Sequence, residues 1–288
     1  MKISYADPAD PFAVRAIIDV VERLSGRRRL EDLCRRQDPS RDFFEQAVEL
    51  LRLRLVHESH RLAAIPATGP VVMVANHPFG VVDGIALSHL LGSRRRDFRV
   101  IAHGLLSRAP EAARRIIPID FSLTREARNT NLETRRRAEA HLADGGAVLV
   151  FPAGCVASAP SLFSAVVDEP WRPFTARLIM KSRATVVPVF TEGRNSLVFQ
   201  LANLVHPALR AAMLLNEVRN KIGHEIRMHI GQPLPFDALS SIRDRQELMD
   251  SLRLHTLALG NRENPLPGDG HPETGFDLGC LSLATLPR

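Results

Sequence analysis

The sequence predicts an α/β fold: a mostly parallel, twisted sheet with helices on both faces, preceded by an N-terminal helical segment. One observation behind this prediction is the alternation of short apolar runs of strand character with longer segments of helical spacing. A second is size, because 288 residues, of which 45% are hydrophobic, can bury one large core. Strands separated by helices favour a parallel sheet, and the ligands of such sheets bind beyond the carboxyl ends of the strands.

Residues 1–65 are predicted to form the N-terminal helical segment. The first helix, within residues 1–25, carries an apolar stripe made of Phe12, Ile17, Ile18, Val21 and Leu24. A second helix is predicted over residues 41–62. Apolar area beside a run of arginines would allow contact with an anionic membrane surface, although such stripes more often pack into a core.

Residues 66–260 hold the predicted sheet domain. Strands are expected at residues 71–75, 98–102, 117–120, 147–151, 185–190 and 225–230. Helices are expected at residues 85–91, 110–116, 124–144, 173–182 and 242–259. Residues 261–288 contain four prolines and four glycines and are predicted to be a loosely ordered tail.

The chain is basic, with 38 Lys and Arg residues against 32 Asp and Glu and a formal net charge of +6. A positive surface suits anionic lipid head groups, phosphopantetheine carriers or nucleic acid, and charge alone does not choose among them. One Trp and one Tyr provide few stacking platforms for single-stranded nucleic acid. Nucleic acid is therefore not expected as a partner.

Several features bear on the compartment. Cys34, Cys155 and Cys280 are too few and too widely spaced for a disulfide framework or a zinc cluster, so the cytoplasm is the expected location. Acidic residues within residues 1–25 argue against a signal peptide there. The longest charge-free apolar stretch, residues 195–209, is shorter than the roughly 20 residues of a spanning helix. If the protein acts on lipids, we expect it to be peripheral on the inner face of the cell membrane.

The stretch VVMVANHPFGVVDG, residues 71–84, combines a buried strand with a turn rich in functional groups. Pro78 biases His77 toward extended backbone, so the imidazole is expected at a strand tip. Gly80 lets the chain turn back, and Asp83 falls in the first turn of the next helix. A carboxylate within reach of His77 would fix its tautomer and raise its basicity, as a general base requires. The alternative is that Asp83 only caps the helix and His77 bonds a backbone group.

Asn76-His77-Pro78 followed by an acid resembles the first motif of the glycerolipid acyltransferases, the superfamily of lysophosphatidic-acid acyltransferase. That family has its Asp four residues beyond the Asn-His pair, whereas here the gap before Asp83 holds five residues. The form NHPFG with a later DG is closer to a bacterial branch described as hemolysin-like or lyso-ornithine-lipid acyltransferases. In that branch the longer gap is usual.

Two later segments resemble the motifs that hold the acceptor's phosphate. Phe151-Pro152-Ala153-Gly154 resembles the third motif, Phe-Pro-Glu-Gly-Thr-Arg, but Ala153, Cys155 and Val156 replace its Glu, Thr and Arg. Residues 117–121 resemble the second motif, with Phe121 in the place of its arginine. Either Arg125 and Arg128 substitute as anion contacts, or the acceptor is not a glycerol phosphate. The alternative for these two arginines is a solvated helix face.

Residues 187–189, with Pro188 at their centre, resemble the fourth motif, which is associated with the acyl-donor side. Residues 193–196 resemble the same bacterial branch. Together the matches span about residues 65–232.

The resemblance implies an O-acyltransferase that moves a fatty acyl chain from acyl-carrier protein or coenzyme A to a hydroxyl of a lysolipid. His77 would take the hydroxyl proton, Asp83 would orient it, and backbone N–H groups of the HPFG or PAGC turns would face the oxyanion. No metal and no cofactor beyond the acyl thioester is expected. The implied substrate-binding residues are Asn76, Pro78, Gly80, Phe121, Arg125, Arg128, Phe151, Pro152, Gly154 and Pro188.

Two alternatives to this function remain. One is a 1-acylglycerol-3-phosphate O-acyltransferase of phosphatidic acid synthesis, and the other is a non-catalytic protein that binds lipid or acyl carrier. The sequence contains no G-x-S-x-G elbow, Walker loop, G-x-G-x-x-G or H-E-x-x-H. Cys155 as a thiol nucleophile, or His89 as a metal ligand beside His77 and Asp83, are weaker hypotheses.

Overall fold

A seven-stranded sheet with the order β1-β7-β6-β2-β5-β3-β4 forms the centre of the protein. The computed structural model describes residue 38 and residues 40–103, 110–120, 124–159, 164, 166–205 and 207–261. The strands are β1 (Arg54–Val56), β2 (Val71–Ala75), β3 (Arg99–His103), β4 (Ile116–Ile119), β5 (Ala147–Val150), β6 (Thr185–Thr191) and β7 (Glu225–Ile230).

Ten α-helices of the described residues surround this sheet. They are α1 (Phe43–Leu50), α2 (Ser59–Ala63), α3 (Val81–Arg94), α4 (Pro110–Ala113), α5 (Arg125–Ala143), α6 (Phe174–Ser182), α7 (Leu197–Val205), α8 (Pro207–Asn220), α9 (Phe236–Leu239) and α10 (Arg245–Ala258). A short 3-10 helix, Leu259–Asn261, follows α10. None of the described helices has the length and apolar composition needed to cross a membrane.

The directions of the strands place the loops that follow β2, β5 and β6 on the same edge of the sheet. Strands β6, β2, β5, β3 and β4 run parallel to one another, β7 is antiparallel to β6, and β1 is parallel to β7. Strand β2 lies between β5 and β6 and is buried at every residue. The loops after β2, β5 and β6 therefore leave the sheet side by side.

Alternate residues of β2 point into two separate hydrophobic cores. Val71, Met73 and Ala75 belong to the core that also contains side chains of α1, α3 and α8. Val72 and Val74 belong to the core formed with α5, α6 and α10. The prediction of a mostly parallel α/β sheet with helices on both faces is thus confirmed.

Most predicted segments of the sheet domain coincide with observed elements. The strand predicted at residues 225–230 is β7, and the helix predicted at residues 124–144 is α5, which begins after Thr124 accepts the N–H of Ala127. The helix predicted at residues 85–91 begins earlier, at Val81. The apolar stretch 195–209, for which the sequence predicts no element, contains α7 and the start of α8. The helix predicted in residues 1–25 and the tail beyond residue 261 lie outside the described residues.

The prediction of one helix over residues 41–62 is wrong. Helix α1 ends at Leu50, Arg52 adopts the left-handed conformation with φ of 51°, and residues 54–56 form β1 beside β7. The sequence LRLRLV at residues 51–56 alternates apolar and polar side chains with the period of a strand. The helical spacing of apolar residues before and after this stretch favoured the prediction of one continuous helix.

A buried guanidinium joins three loops at the opposite edge of the sheet. Arg95 is 2% exposed and donates to the carbonyls of Pro66, Gly69 and Gly145. Its remaining donors form two 2.8 Å hydrogen bonds with Asp97. These bonds fix the loops that lead into β2 and β5.

Candidate active site

Asn76 extends the sheet at the point where the chain leaves β2. Its side-chain amide donates to the carbonyl of Thr191 at 2.9 Å and accepts the Thr191 N–H at 2.7 Å. The amide thus imitates one more peptide unit of the ladder between β2 and β6. Because both groups are buried, this pairing fixes the backbone immediately before His77.

The turn after His77 depends on a glycine. Gly80 has φ of 76°, a conformation that other residues adopt only with strain. A Cβ there would also lie 2.8 Å from Leu214 Cδ2 and 3.0 Å from Val156 Cγ2. Gly80 is followed directly by α3, so Asp83 lies in the first turn of that helix.

The structure brings His77 and Asp83 together. His77 Nδ1 lies 3.1 Å from Asp83 Oδ2, although the direction of the ring nitrogen does not satisfy hydrogen-bond geometry in this conformation. The same Oδ2 accepts the N–H groups of Phe79 at 2.7 Å and Gly80 at 3.0 Å. Asp83 is fully buried, whereas the His77 side chain is 17% exposed. Asp83 therefore caps α3 and faces the imidazole at once.

Phe151 forms one wall of the site. Its ring stacks on the His77 ring with centroids 3.9 Å apart and an interplanar angle of 27°. The loop that follows turns at Gly154, which has φ of 75°, and Pro152 accepts the N–H of Arg172 at 3.0 Å. The predicted residues Phe151, Pro152 and Gly154 thus belong to the loop that holds the imidazole plane.

Asp168 is a site residue that the sequence analysis missed. It accepts the backbone N–H of His77 at 3.2 Å through Oδ1 and the Trp171 Nε1–H at 2.7 Å through Oδ2. Burial raises the pKa of the Asp168 carboxyl, against the opposing effect of these donors. No motif marks Asp168, which lies more than 90 residues beyond His77; its proximity to the sole Trp was the available signal.

Lys221, directly after α8, supplies positive charge behind the turn. Its Nζ lies 4.2 Å from the centroid of the Phe79 ring. Burial lowers the pKa of Lys221, while the negative charges of Glu217 and Asp83 oppose that shift. The buried Oδ1 of Asp83 has no hydrogen-bond partner among the described residues. Lys221 therefore contributes a favourable field to an incompletely paired carboxylate.

Other predicted residues lie away from this cluster. Arg125 and Arg128 are exposed at the start of α5, after the edge strand β4, and β4 is three positions from β2 in the sheet. Pro188 lies inside β6, paired with Val74 rather than at the carboxyl edge. Pro78 lies in the turn between His77 and α3, and Phe121 lies outside the described residues.

Cys155 has the properties of a packed thiol. Burial raises its pKa, and the carboxylates of Glu169 and Asp168 act in the same direction, against Arg210 and Arg172. A protonated thiol is a poor nucleophile. Within the described residues, no three His, Cys, Asp or Glu side chains are arranged to hold a metal ion.

This geometry suits proton abstraction at the carboxyl edge of the sheet. One imidazole nitrogen faces a buried carboxylate, and the other, Nε2, has no hydrogen-bond partner among the described residues. A neutral imidazole held this way can accept a proton from a substrate hydroxyl and transfer it to a leaving group.

Two relatives and one solved structure are similar to this chain. The chain is 25% identical over 209 residues to the lyso-glycine lipid O-acyltransferase of Phocaeicola vulgatus, covering 70% of this chain and 72% of the relative. It is 28% identical over 203 residues to the enzyme of the same name from Bacteroides thetaiotaomicron, covering 68% and 71%. The crystal structure of the 1-acyl-sn-glycerophosphate (LPA) acyltransferase PlsC from Thermotoga maritima matches with a TM-score of 0.48 and 16% identity, over 88% of this chain and 83% of that chain.

The profile of the protein family described as Acyltransferase matches residues 34–264. This range covers most of the chain and includes β2, the turn with His77 and Asp83, and the loop with Phe151. The chain therefore belongs to the acyltransferase family, within the glycerolipid acyltransferase superfamily.

Proposed function

We propose that this enzyme transfers a fatty acyl chain from an acyl thioester to a hydroxyl of a lysolipid, with His77 as the general base. The observation that carries this proposal is the 3.1 Å contact between His77 Nδ1 and the buried Asp83 at the carboxyl edge of the sheet. The two relatives named as lyso-glycine lipid O-acyltransferases support a lysolipid acceptor. Acyl-carrier protein or coenzyme A would carry the acyl chain.

The proposed reaction proceeds without an acyl-enzyme. His77 Nε2 accepts the proton of the acceptor hydroxyl while the hydroxyl oxygen attacks the thioester carbonyl. Collapse of the tetrahedral intermediate breaks the carbon–sulfur bond, and the departing thiolate takes the proton from the imidazolium. The Asp83 carboxylate stabilises the imidazolium between these steps.

The oxyanion requires donors other than the HPFG turn. In that turn, the N–H groups of Phe79 and Gly80 donate to Asp83, and the N–H of His77 donates to Asp168. In the loop after β5, the N–H of Gly154 donates to Phe151, whereas those of Cys155 and Val156 have no acceptor among the described residues. We assign the oxyanion to these two N–H groups.

For the acceptor, we propose a lyso-aminolipid or another hydroxyl acceptor without a phosphate monoester. Val156 occupies the place of the family's arginine, is 8% exposed and packs against Gly80, so that this position is filled by an aliphatic side chain. Leaving a phosphate unpaired in such a site would cost several kcal/mol. The names of the two relatives, which specify a glycine lipid, support the same choice.

Competition between acceptors tests this choice. Lyso-glycine or lyso-ornithine lipid and lysophosphatidic acid would be supplied at equal concentration with a labelled acyl thioester. We expect at least a hundredfold preference for the aminolipid, since several kcal/mol correspond to two or more orders of magnitude. A preference for lysophosphatidic acid would refute the assignment. If Arg125→Gln or Arg128→Gln then removed that preference, the substituted arginine would be identified as a phosphate contact.

Substitution of the base tests the reaction itself. We expect His77→Ala to lower turnover roughly a hundred- to ten-thousand-fold, the usual contribution of a general base, while thermal unfolding stays cooperative. Asp83→Asn keeps an acceptor for the helix cap but removes the charge beside the imidazole, and should also impair turnover. Near-normal turnover in a folded His77→Ala enzyme would contradict the mechanism.

A further inference from the structure

Four of the six large hydrophobic residues that are exposed in the described part of the chain lie on two segments hydrogen-bonded to the same loop. Leu197, Val198 and Leu201, within the first five residues of α7, are 59%, 56% and 47% exposed, and Val167 is 46% exposed. We call these four residues the apolar rim. The other large hydrophobic residues exposed in the described part of the chain, Val56 and Leu132, lie singly on β1 and α5. Isolated exposed residues are ordinary, whereas a cluster indicates an interaction surface.

Hydrogen bonds connect the apolar rim to the His77 loop. Gln200, on the buried side of α7, accepts the N–H of Ala159 at 2.9 Å. Two residues earlier, the N–H of Ala157 donates to the carbonyl of His77 at 2.8 Å. Val167 pairs with Ser158 in an isolated bridge and is followed by Asp168, which holds the His77 N–H. The rim therefore borders the site.

Arginines lie in the segments next to the rim. Helix α7 has the sequence LVFQLANLV, without a charged residue. Arg194 is exposed just before it, and Arg172 and Arg210 lie close enough to Cys155 to affect its pKa. The acidic residues that act on Cys155 from the same neighbourhood are Glu169 and the buried Asp168. Apolar side chains bordered by arginines match the boundary between acyl chains and anionic head groups.

We propose that the apolar rim inserts into the interface of an anionic membrane and thereby places the opening of the His77 site against the bilayer. Helix α7 has nine residues, too short to span a membrane but suited to lie in its surface. The inference rests on the proposed lysolipid function, because a lipid acceptor could then reach His77 with its acyl chain still shielded from water. Partner proteins and a second copy of this chain are the competing occupants.

Vesicle binding tests the proposal independently of catalysis. The full chain and the variant Leu197→Gln/Val198→Gln/Leu201→Gln would be floated with vesicles of phosphatidylglycerol and phosphatidylcholine. We expect the triple variant to lose at least tenfold in partitioning, while the control Leu132→Gln, which removes a leucine that is 44% exposed on α5, binds like the unmodified protein. Circular dichroism would verify that the variants are folded.

Fluorescence locates the contact. In Leu197→Trp, emission should shift to the blue on addition of vesicles and be quenched by brominated lipid, whereas in Leu132→Trp it should not. The native Trp171 is 1% exposed and contributes a constant background. With a lysolipid below its micellar concentration, the triple variant should retain turnover, so that loss of membrane binding is distinguished from loss of chemistry.

Three results would overturn the proposal. The first is equal vesicle partitioning of the triple variant and the unmodified chain. The second is a blue shift of Leu197→Trp that depends on protein concentration without lipid, since this would indicate a second copy. The third is a blue shift induced by acyl-carrier protein but not by vesicles. If the protein proves inactive towards every lysolipid, the vesicle measurements still decide whether the rim binds a membrane.

Discussion

At the scale of single residues, one carboxylate oxygen serves both the backbone and the imidazole. Asp83 Oδ2 accepts two N–H groups of the turn and lies 3.1 Å from His77 Nδ1. Helix capping and orientation of the base, which the sequence presents as alternatives, are therefore parts of one arrangement. Any substitution that displaces the cap should also displace the base.

Gly80→Ala is predicted to impair the enzyme through this arrangement. The new Cβ would meet Leu214 and Val156 at 2.8 and 3.0 Å in addition to the strain of a positive φ. We expect a loss of about 1–3 kcal/mol in the free energy of unfolding and a fall in turnover. Gly69→Ala is the matched control, because Gly69 has φ of 80° but nothing within 4 Å of the Cβ position. Equal effects of the two substitutions on turnover would contradict the prediction.

Lys221→Met is predicted to lower turnover by weakening the turn that holds His77. The substitution removes a positive charge near the incompletely paired Asp83 carboxylate and the contact with the Phe79 ring. We expect Lys221→Arg to preserve most of the activity, because it keeps both the charge and the ring contact. Equal turnover of Lys221→Met and the unmodified enzyme would contradict the prediction.

The sequence identifies some of these residues and not others, for a physical reason. Only one turn separates His77 from Asp83, so the local backbone conformation brings the two side chains together. Both residues therefore belong to one short sequence motif. Asp168 and Lys221 reach the same turn through tertiary packing, and nothing at their own positions indicates it. Val156 was noted for what it replaces, but its contact with Gly80 appears only in three dimensions.

At the scale of elements, the loops before β2 and β5 depend on Arg95. Arg95→Met is predicted to lower the free energy of unfolding by about 3 kcal/mol, because three carbonyls and Asp97 lose a buried donor. Arg96→Met, the exposed neighbour, should change it by less than about 0.5 kcal/mol. Chemical denaturation of both variants measures the difference, and similar values would contradict the assignment.

The same contact has a pH signature. Hydrogen bonding to Arg95 lowers the pKa of Asp97. The contact with Arg95 should stabilise the folded protein fully above the pKa of an unfolded Asp, about 3.9. This stabilisation should disappear as the pH falls through the lower pKa of Asp97 in the folded protein. The stability difference between the unmodified protein and Arg95→Met should therefore shrink in acid.

The elements that sequence patterns predict are those whose environment is uniform. Strand β2 is buried on both sides, and α5 has a clear cap and length, so their patterns are simple. Strand β1 has three residues and lies between helical segments, and its partner is more than 160 residues away. The sequence pattern around β1 contains no information about a pairing strand so far away. The helical patterns on both sides of β1 therefore led to the incorrect prediction of one helix over residues 41–62.

At the scale of the whole molecule, the net charge of +6 predicts salt-dependent membrane association. Binding to phosphatidylglycerol vesicles should weaken as salt rises from 0.1 to 1 M, because the Debye length falls from about 10 to about 3 Å. Flotation at increasing salt measures this effect, with neutral phosphatidylcholine vesicles as the control. Binding that is unaffected by salt and reversed only by detergent would show that apolar insertion alone is responsible.

The pairing of β1 with β7 has a consequence for how the chain acquires its structure. Within the described part of the chain, residues 54–56 form ladder pairs only with residues 225–227, whereas β2 can pair with β5 once residue 150 has been made. On the ribosome, β1 must therefore wait for most of the sheet domain to be synthesised, with Leu53 and Leu55 lacking their final partners. During that interval residues 54–56 are unpaired in the nascent chain. Binding of a chaperone or a nearby lipid surface would protect the chain most at this stage.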